Sequence, residues 1–184
     1  TTAGTYTVQV TSTAGCQSTA SAPTTVTVNP TPAAPTITAG GATAICSGNS
    51  VTLTATAGTG YLWSTGATTQ SITATAAGTY TCKIVSAQGC QSANSNSISV
   101  TVNPAPATPT VSAGGALTFC SGGSVTLTSS AGTSYLWSTG ATSQSINATT
   151  AGTYTVQVTN PSGCQSAERA ETTVTVNPTP AAPT

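Results

Sequence analysis

Along this chain, apolar residues tend to recur at every second position. Thr5-Tyr6-Thr7-Val8-Gln9-Val10, Thr25-Val26-Thr27-Val28 and Val51-Thr52-Leu53-Thr54 each alternate polar and apolar side chains. Successive side chains of an extended strand point to opposite faces, so such runs predict strands with one face in a core and the other in water. Val51 and Leu53 then share an inner face. Tyr61 and Trp63 share one in the same way, Gly66 supplies a turn after them, and Tyr80 opens a further alternating run. No stretch carries a helical period, so the chain is expected to be all-β.

The pattern also recurs at long range. Tyr6, Tyr80 and Tyr154 are equally spaced (80 − 6 = 154 − 80 = 74), and Cys16, Cys90 and Cys164 keep the same interval. Trp63 with Trp137, Cys46 with Cys120, and the Asn-Pro pairs at 29–30, 103–104 and 177–178 obey it too. A fixed period of domain size predicts a tandem array of one module. Whole modules are expected at 31–104 and 105–178, with 179–184 starting a Pro-rich linker. Thr1 aligns with Thr149, so residues 1–30 are expected to form the C-terminal half of a module whose other strands come from upstream sequence or another chain. Pro30, Pro32 and Pro35 fix φ and disfavour helix, which makes the connection a short, stiff spacer. Within 31–104, strands are expected at 36–38, 42–45, 51–54, 61–63, 70–73, 79–85 and 97–102, with polar turns between them.

Composition changes this picture in one respect. Of 184 residues only Lys83, Glu168, Arg169 and Glu171 are charged, against roughly a quarter in ordinary soluble domains. Such a surface has little self-repulsion, and its sheet edges lack the lysines that usually discourage pairing with other chains. Copies of the chain are therefore the expected partner. Threonine, at 44 residues, offers the alternative of a surface kept wet by hydroxyls. The neutral balance argues against nucleic acid and against an anionic membrane surface. No run of 18 apolar residues exists to span a bilayer.

A 74-residue module buries only about 60% of the surface its unfolded chain exposes, so its stability is marginal unless it is stapled. Cysteines at fixed places in each repeat read as an extracytoplasmic disulfide framework. Recurrence alone suggests Cys46 with Cys90 and Cys120 with Cys164, leaving Cys16 to a partner outside these residues. Zinc would need clustered ligands, which the chain lacks.

Val51-Thr52-Leu53-Thr54, Tyr61-Leu62-Trp63 and Ala77-Gly78-Thr79-Tyr80-Thr81-Cys82 resemble strands B, C and F of immunoglobulin-like and PKD-like modules. The fuller pattern runs from Ile45-Cys46-Ser47-Gly48 through Tyr61-x-Trp63-Ser64-x-Gly66 to Gly78-Thr79-Tyr80 and Gly89-Cys90. It is similar to the Ig-like repeats of large surface and adhesin-like proteins of gliding bacteria exported by the type IX system. The resemblance implies tandem Ig-like β-sandwiches, an extracellular or cell-surface location, Trp63 as the strand C tryptophan and Tyr80 as a tyrosine corner. It also bears on the cysteines. In such a sandwich Cys46 precedes strand B and Cys90 follows strand F, near opposite ends of a strand about 20 Å long, whereas a bridge needs Cα atoms within about 7 Å. That topology favours a Cys46–Cys164 bridge across the joint between modules, and the two pairings stay open.

The remaining chemistry is sparse. With no His and no Asp, nothing activates the hydroxyls, and no catalytic, cofactor or metal site can be assembled. Glu168, Arg169 and Glu171 read as a solvated patch, and Lys83 as a surface residue. Trp63 and Trp137 read as core rather than sugar platforms, together with Tyr6, Tyr80, Tyr154, Leu53 and Leu127. Ile45 and Phe119 read as apolar plugs at one end of a sandwich. Cys82, whose counterparts are Val8 and Val156, reads as a free buried thiol acting as a small apolar side chain. The expected function is a structural rod, stalk or filament of Ig-like modules. The rival is an adhesin whose repeats bind glycan or another surface. Ice or crystal binding through Thr-x-Thr pairs would need flat, in-register Thr arrays that the varied strands do not offer.

Overall fold

The computed structural model describes residues 2–166 and 170–181, and among these the chain is all-β, with no helix. In chain order, β1 (Gly4–Tyr6), β2 (Thr24–Val26), β3 (Ile37–Ala39), β4 (Ala44–Cys46) and β5 (Val51–Ala55) come first. They are followed by β6 (Tyr61–Trp63), β7 (Ser71–Ala74), β8 (Gly78–Tyr80), β9 (Cys82–Ile84) and β10 (Ile98–Asn103). The rest are β11 (Val111–Ala113), β12 (Thr118–Cys120), β13 (Val125–Ser129), β14 (Ser134–Trp137), β15 (Ser145–Ala148), β16 (Gly152–Thr159) and β17 (Ala170–Asn177). Hydrogen bonding orders the strands as β1-β2, β3-β5-β7, β6-β9, β4-β10-β8, β11-β13-β15 and β12-β17-β16-β14. The chain clusters into two compact units, one of Thr1–Gly40, Thr52–Thr73 and Thr79–Ser99, the other of Gly41–Val51, Ala74–Gly78 and Val100–Thr184.

The second unit contains a complete sandwich. Its three-stranded sheet is antiparallel, Leu127 facing Ile146 in register and Ala113 facing Leu127. The four-stranded sheet pairs β14 with β16 and β16 with β17 antiparallel, while β12 joins β17 in parallel. Alternation places Val125 and Leu127 from one sheet and Tyr154, Val156 and Val174 from the other in a single core around Trp137, which is 2% exposed. Phe119 packs against the edge of that core. Burying each large apolar side chain contributes roughly 1.5–3 kcal/mol before the cost of ordering it.

In the first unit the same alternation buries Leu53, Ala55 and Trp63. Asn96 ties β3 down: its Oδ1 accepts from the Ile37 N–H at 2.8 Å and its Nδ2 donates to the Ile37 carbonyl at 3.0 Å. The expected strand over 79–85 is divided at Thr81, whose N–H donates to Ser64 Oγ and whose carbonyl accepts the Ser64 N–H. Beyond the break, seryl hydroxyls stand in for ladder partners. Ser95 Oγ accepts from Cys82 N–H, and Ser92 Oγ accepts from Ile84 N–H while its own N–H returns a bond to the Ile84 carbonyl. Ser92 is buried yet satisfied, as buried hydroxyls need to be.

One expected core residue is not in a core. Tyr6 is 51% exposed, and Val8 and Val10 are more so. β1 pairs only with β2, so among the described residues no second sheet lies over their apolar face. The alternation is present without the burial it usually signals. β4 pairs with β10, and β12 with β17, in parallel.

Candidate functional site

The residues with distinctive chemistry are the cysteines, and two recurrent pieces of local structure present them. The first is a tight hairpin. In residues 160–164 the Asn160 N–H donates to the Cys164 carbonyl at 2.9 Å, the Gly163 N–H to the Asn160 carbonyl, and the Cys164 N–H to Asn160 Oδ1. Pro161 presets the first turn residue, and Gly163 takes a φ of 78°, a left-handed value that glycine adopts without penalty. The hairpins at 12–16 and 86–90 close with the same backbone bonds, and Ser12 and Ser86 supply the capping oxygen in place of asparagine.

The second piece is the end of a parallel strand pair. Cys46 stands opposite Asn103, and the Ser47 N–H donates to the Asn103 carbonyl at 2.8 Å. Cys120 stands opposite Asn177, and the Ser121 N–H donates to the Asn177 carbonyl at the same distance.

Within the second unit the two pieces meet. Cys46 and Cys164 form a disulfide with Cα atoms 5.6 Å apart across 118 residues of sequence. Around the bridge, Asn160 Nδ2 donates to the Pro104 carbonyl at 2.9 Å. The within-repeat pairs Cys46–Cys90 and Cys120–Cys164 are therefore not formed. Cys16, Cys82, Cys90 and Cys120 are free thiols, exposed at 16 and 120 and buried at 82. Recurrence could not settle this, because a spacing that repeats does not say which copy supplies the partner. Beside the bridge lies a polar groove lined by Ser47, Asn49, Gln157 and Gln165.

Cys82 sits at 0% exposure on β9 opposite Trp63. Burial pushes its thiol above the ordinary value of 9.0, opposed more weakly by backbone hydrogen bonding at Leu62 and Lys83. It is an inert core side chain in this setting.

The tryptophans offer no platform for a sugar. Trp63 and Trp137 are each 2% exposed, and their indole N–H groups donate to the Thr69 and Ser143 carbonyls. The Tyr154 hydroxyl donates to the Thr150 carbonyl at 2.9 Å, four residues upstream, which is the geometry of a tyrosine corner. Tyr80, Leu53 and Leu127 are likewise buried. Lys83 Nζ reaches Gln91 Oε1 at 3.4 Å, and Glu168 and Arg169 lie outside the described residues. No group of three or more metal-ligating side chains occurs among the described residues. Nor is any helix among them long and apolar enough to cross a membrane.

The outward faces carry paired hydroxyls. Thr54 Oγ1 and Ser71 Oγ lie 2.9 Å apart, as do Thr128 Oγ1 and Ser145 Oγ. On the edge strand β14, Leu136 is 41% exposed. Its composition, Ser-Tyr-Leu-Trp, contains no charge.

Residues 106–178 match the family model of the Ig-like domain described as CHU_C associated. No curated protein sequence matches the chain. Among solved structures, the human OSCAR ligand-binding domain is similar at 16% identity, covering 76% of this chain and 97% of that one. Its TM-score of 0.32 is too low for the likeness to bear on fold or function.

Proposed function

We propose, taking residues 106–178 as an Ig-like domain of the CHU_C-associated family, that the chain is a structural protein of the cell exterior. Its modules, at 31–104 and 105–178, stack into a rod or stalk that associates with copies of itself. The near absence of charge carries this reading: four ionised side chains in 184 residues leave nothing to hold copies apart. The exposed Leu136 on an edge strand without lysine, and outward faces of hydroxyls that can exchange partners across an interface, point the same way. A disulfide favours an oxidising compartment, in keeping with export.

The reading needs no ligand, and the rival adhesin reading loses its natural sugar platforms with the burial of both tryptophans. A glycan array probed with the purified chain separates the two. The structural reading predicts no saturable binding to any glycan. Saturable binding of one glycan class, lost on a substitution in the groove beside the bridge such as Gln157→Ala, would replace it with the adhesin.

A further inference from the structure

Between Cys46 and Cys164 the chain offers two covalent routes. One is the backbone from 47 to 163, 117 residues long (163 − 46 = 117), which holds strands β5 to β16 and with them Trp63, Cys82 and Trp137. The other is the disulfide, whose Cα atoms are 5.6 Å apart. Tension on a loop closed by a covalent bond falls on the shorter route, because the longer one keeps its slack for as long as the bond holds. The chain on either side of the bond is already extended. Upstream, β4 runs into Cys46 alongside β10, in parallel register from Ala44 opposite Thr101 to Cys46 opposite Asn103. Downstream, the chain leaves Cys164 as a partner of β16. Gln165 bridges Thr159, the Ser166 N–H donates to the Val158 carbonyl at 2.9 Å, and β17 continues from Ala170 opposite Val156 to Val174 opposite Gly152. A strand rises about 3.3 Å per residue, against the roughly 3.6 Å that a residue spans at full stretch. Such segments lengthen little when pulled and transmit force without leaving their sheets.

We infer that the Cys46–Cys164 bond is a tension shunt: it passes a pull along the chain directly from β4 to the strand that ends in β17, so the two tryptophan cores inside the loop lie off the loaded path and stay folded. This rests on the rod or stalk reading above and gives that stalk its means of bearing load. The span of the bond matters to the result. Paired within repeats, the same cysteines would leave residues 91–119 under load, and with them β10 and its buried Val100. Paired across repeats, they take those residues into the protected loop as well.

Optical tweezers test it on the full chain, held by peptide tags at its two ends and carrying Cys16→Ser, Cys90→Ser and Cys120→Ser, so that Cys82 is the remaining free thiol. Pulling in a fluorescent maleimide compares this bridged chain with one that also carries Cys46→Ala and Cys164→Ala. At a tension that labels Cys82 in the bridge-free chain, the bridged chain should take no label. Its fully stretched length should be shorter by about 400 Å, which is 117 residues at about 3.6 Å each. Equal labelling of Cys82 in the two chains at that tension would overturn the proposal, as would equal stretched lengths. Where the bridge-free chain takes label without tension, the bridged chain decides by itself: label that appears only when it is pulled overturns the shunt, and none supports it. Sedimentation of the unmodified chain reports association of copies separately, so a core that opens under tension does not count as failed self-association.

Discussion

Cys46 and Cys164 are 118 residues apart in sequence and bonded, with Cα atoms 5.6 Å apart. The bond anchors the short strand Ala44–Cys46, which has few other means of staying in place. Three residues in parallel register and one apolar side chain, Ile45, hold it to β10. Cross-linking a loop of this length removes enough freedom from the unfolded chain to contribute roughly 5 kcal/mol on the chain-entropy estimate.

Reduction should therefore lower the thermal midpoint of the unit that contains the bond, and Cys46→Ala with Cys164→Ala together should do the same without reductant. Calorimetry with and without dithiothreitol checks this. An unchanged midpoint would mean that the hydrogen bonds around Pro104 hold the joint alone.

Ser129 and Tyr154 make a contrasting pair in one core. The Ser129 hydroxyl is buried with no hydrogen-bond partner, and its counterpart one period earlier is Ala55. Ser129→Ala should be neutral or stabilising by up to about 2 kcal/mol, since it deletes a desolvated group that gains nothing. Tyr154→Phe removes the bond to Thr150 and should cost about 1 kcal/mol. Urea denaturation of the two variants should move the midpoint in opposite directions or leave the first unmoved.

Cys82 predicts both reactivity and pH dependence. A thiol reagent should modify Cys16 and Cys120 rapidly and Cys82 only as its unit opens, because the first two are exposed and the last is fully buried. Since burial raises the folded-state value above the ordinary 9.0, the unfolded chain loses this proton first as pH rises. The stability present below that value should then fall between the unfolded and folded values. Cys82→Val, the residue found at the equivalent position 156, should flatten the fall when stability is followed from pH 8 upward.

Much of the architecture is legible in the alternation of residues such as Val125-Thr126-Leu127 and Tyr135-Leu136-Trp137, because a period of two assigns faces directly. It assigned Tyr6 to an inner face as well. What alternation cannot convey is whether a second sheet lies over that face, and for Tyr6 none does among the described residues. The seryl hydroxyls that replace ladder bonds at Ile84 and Val158 were not legible for a different reason. Ser92 and Ser166 follow their cysteines by two residues in every repeat, a signal that was present, but a serine after a turn reads as loop until its backbone partner is known. A repeating interval is indifferent to whether the partner comes from the same repeat or the next, so the sequence left Cys46–Cys90 and Cys46–Cys164 both open, and Cys46 bonds Cys164.

The most direct measure of the central claim, that an almost uncharged surface lets copies of this chain associate, is sedimentation velocity in reductant. The chain should sediment as species larger than one copy at micromolar concentration. Leu136→Lys, which sets a charge on the exposed edge strand, should shift it toward the single-chain value. A chain that sediments as a single copy across that range, with the Lys variant indistinguishable from it, would contradict the claim.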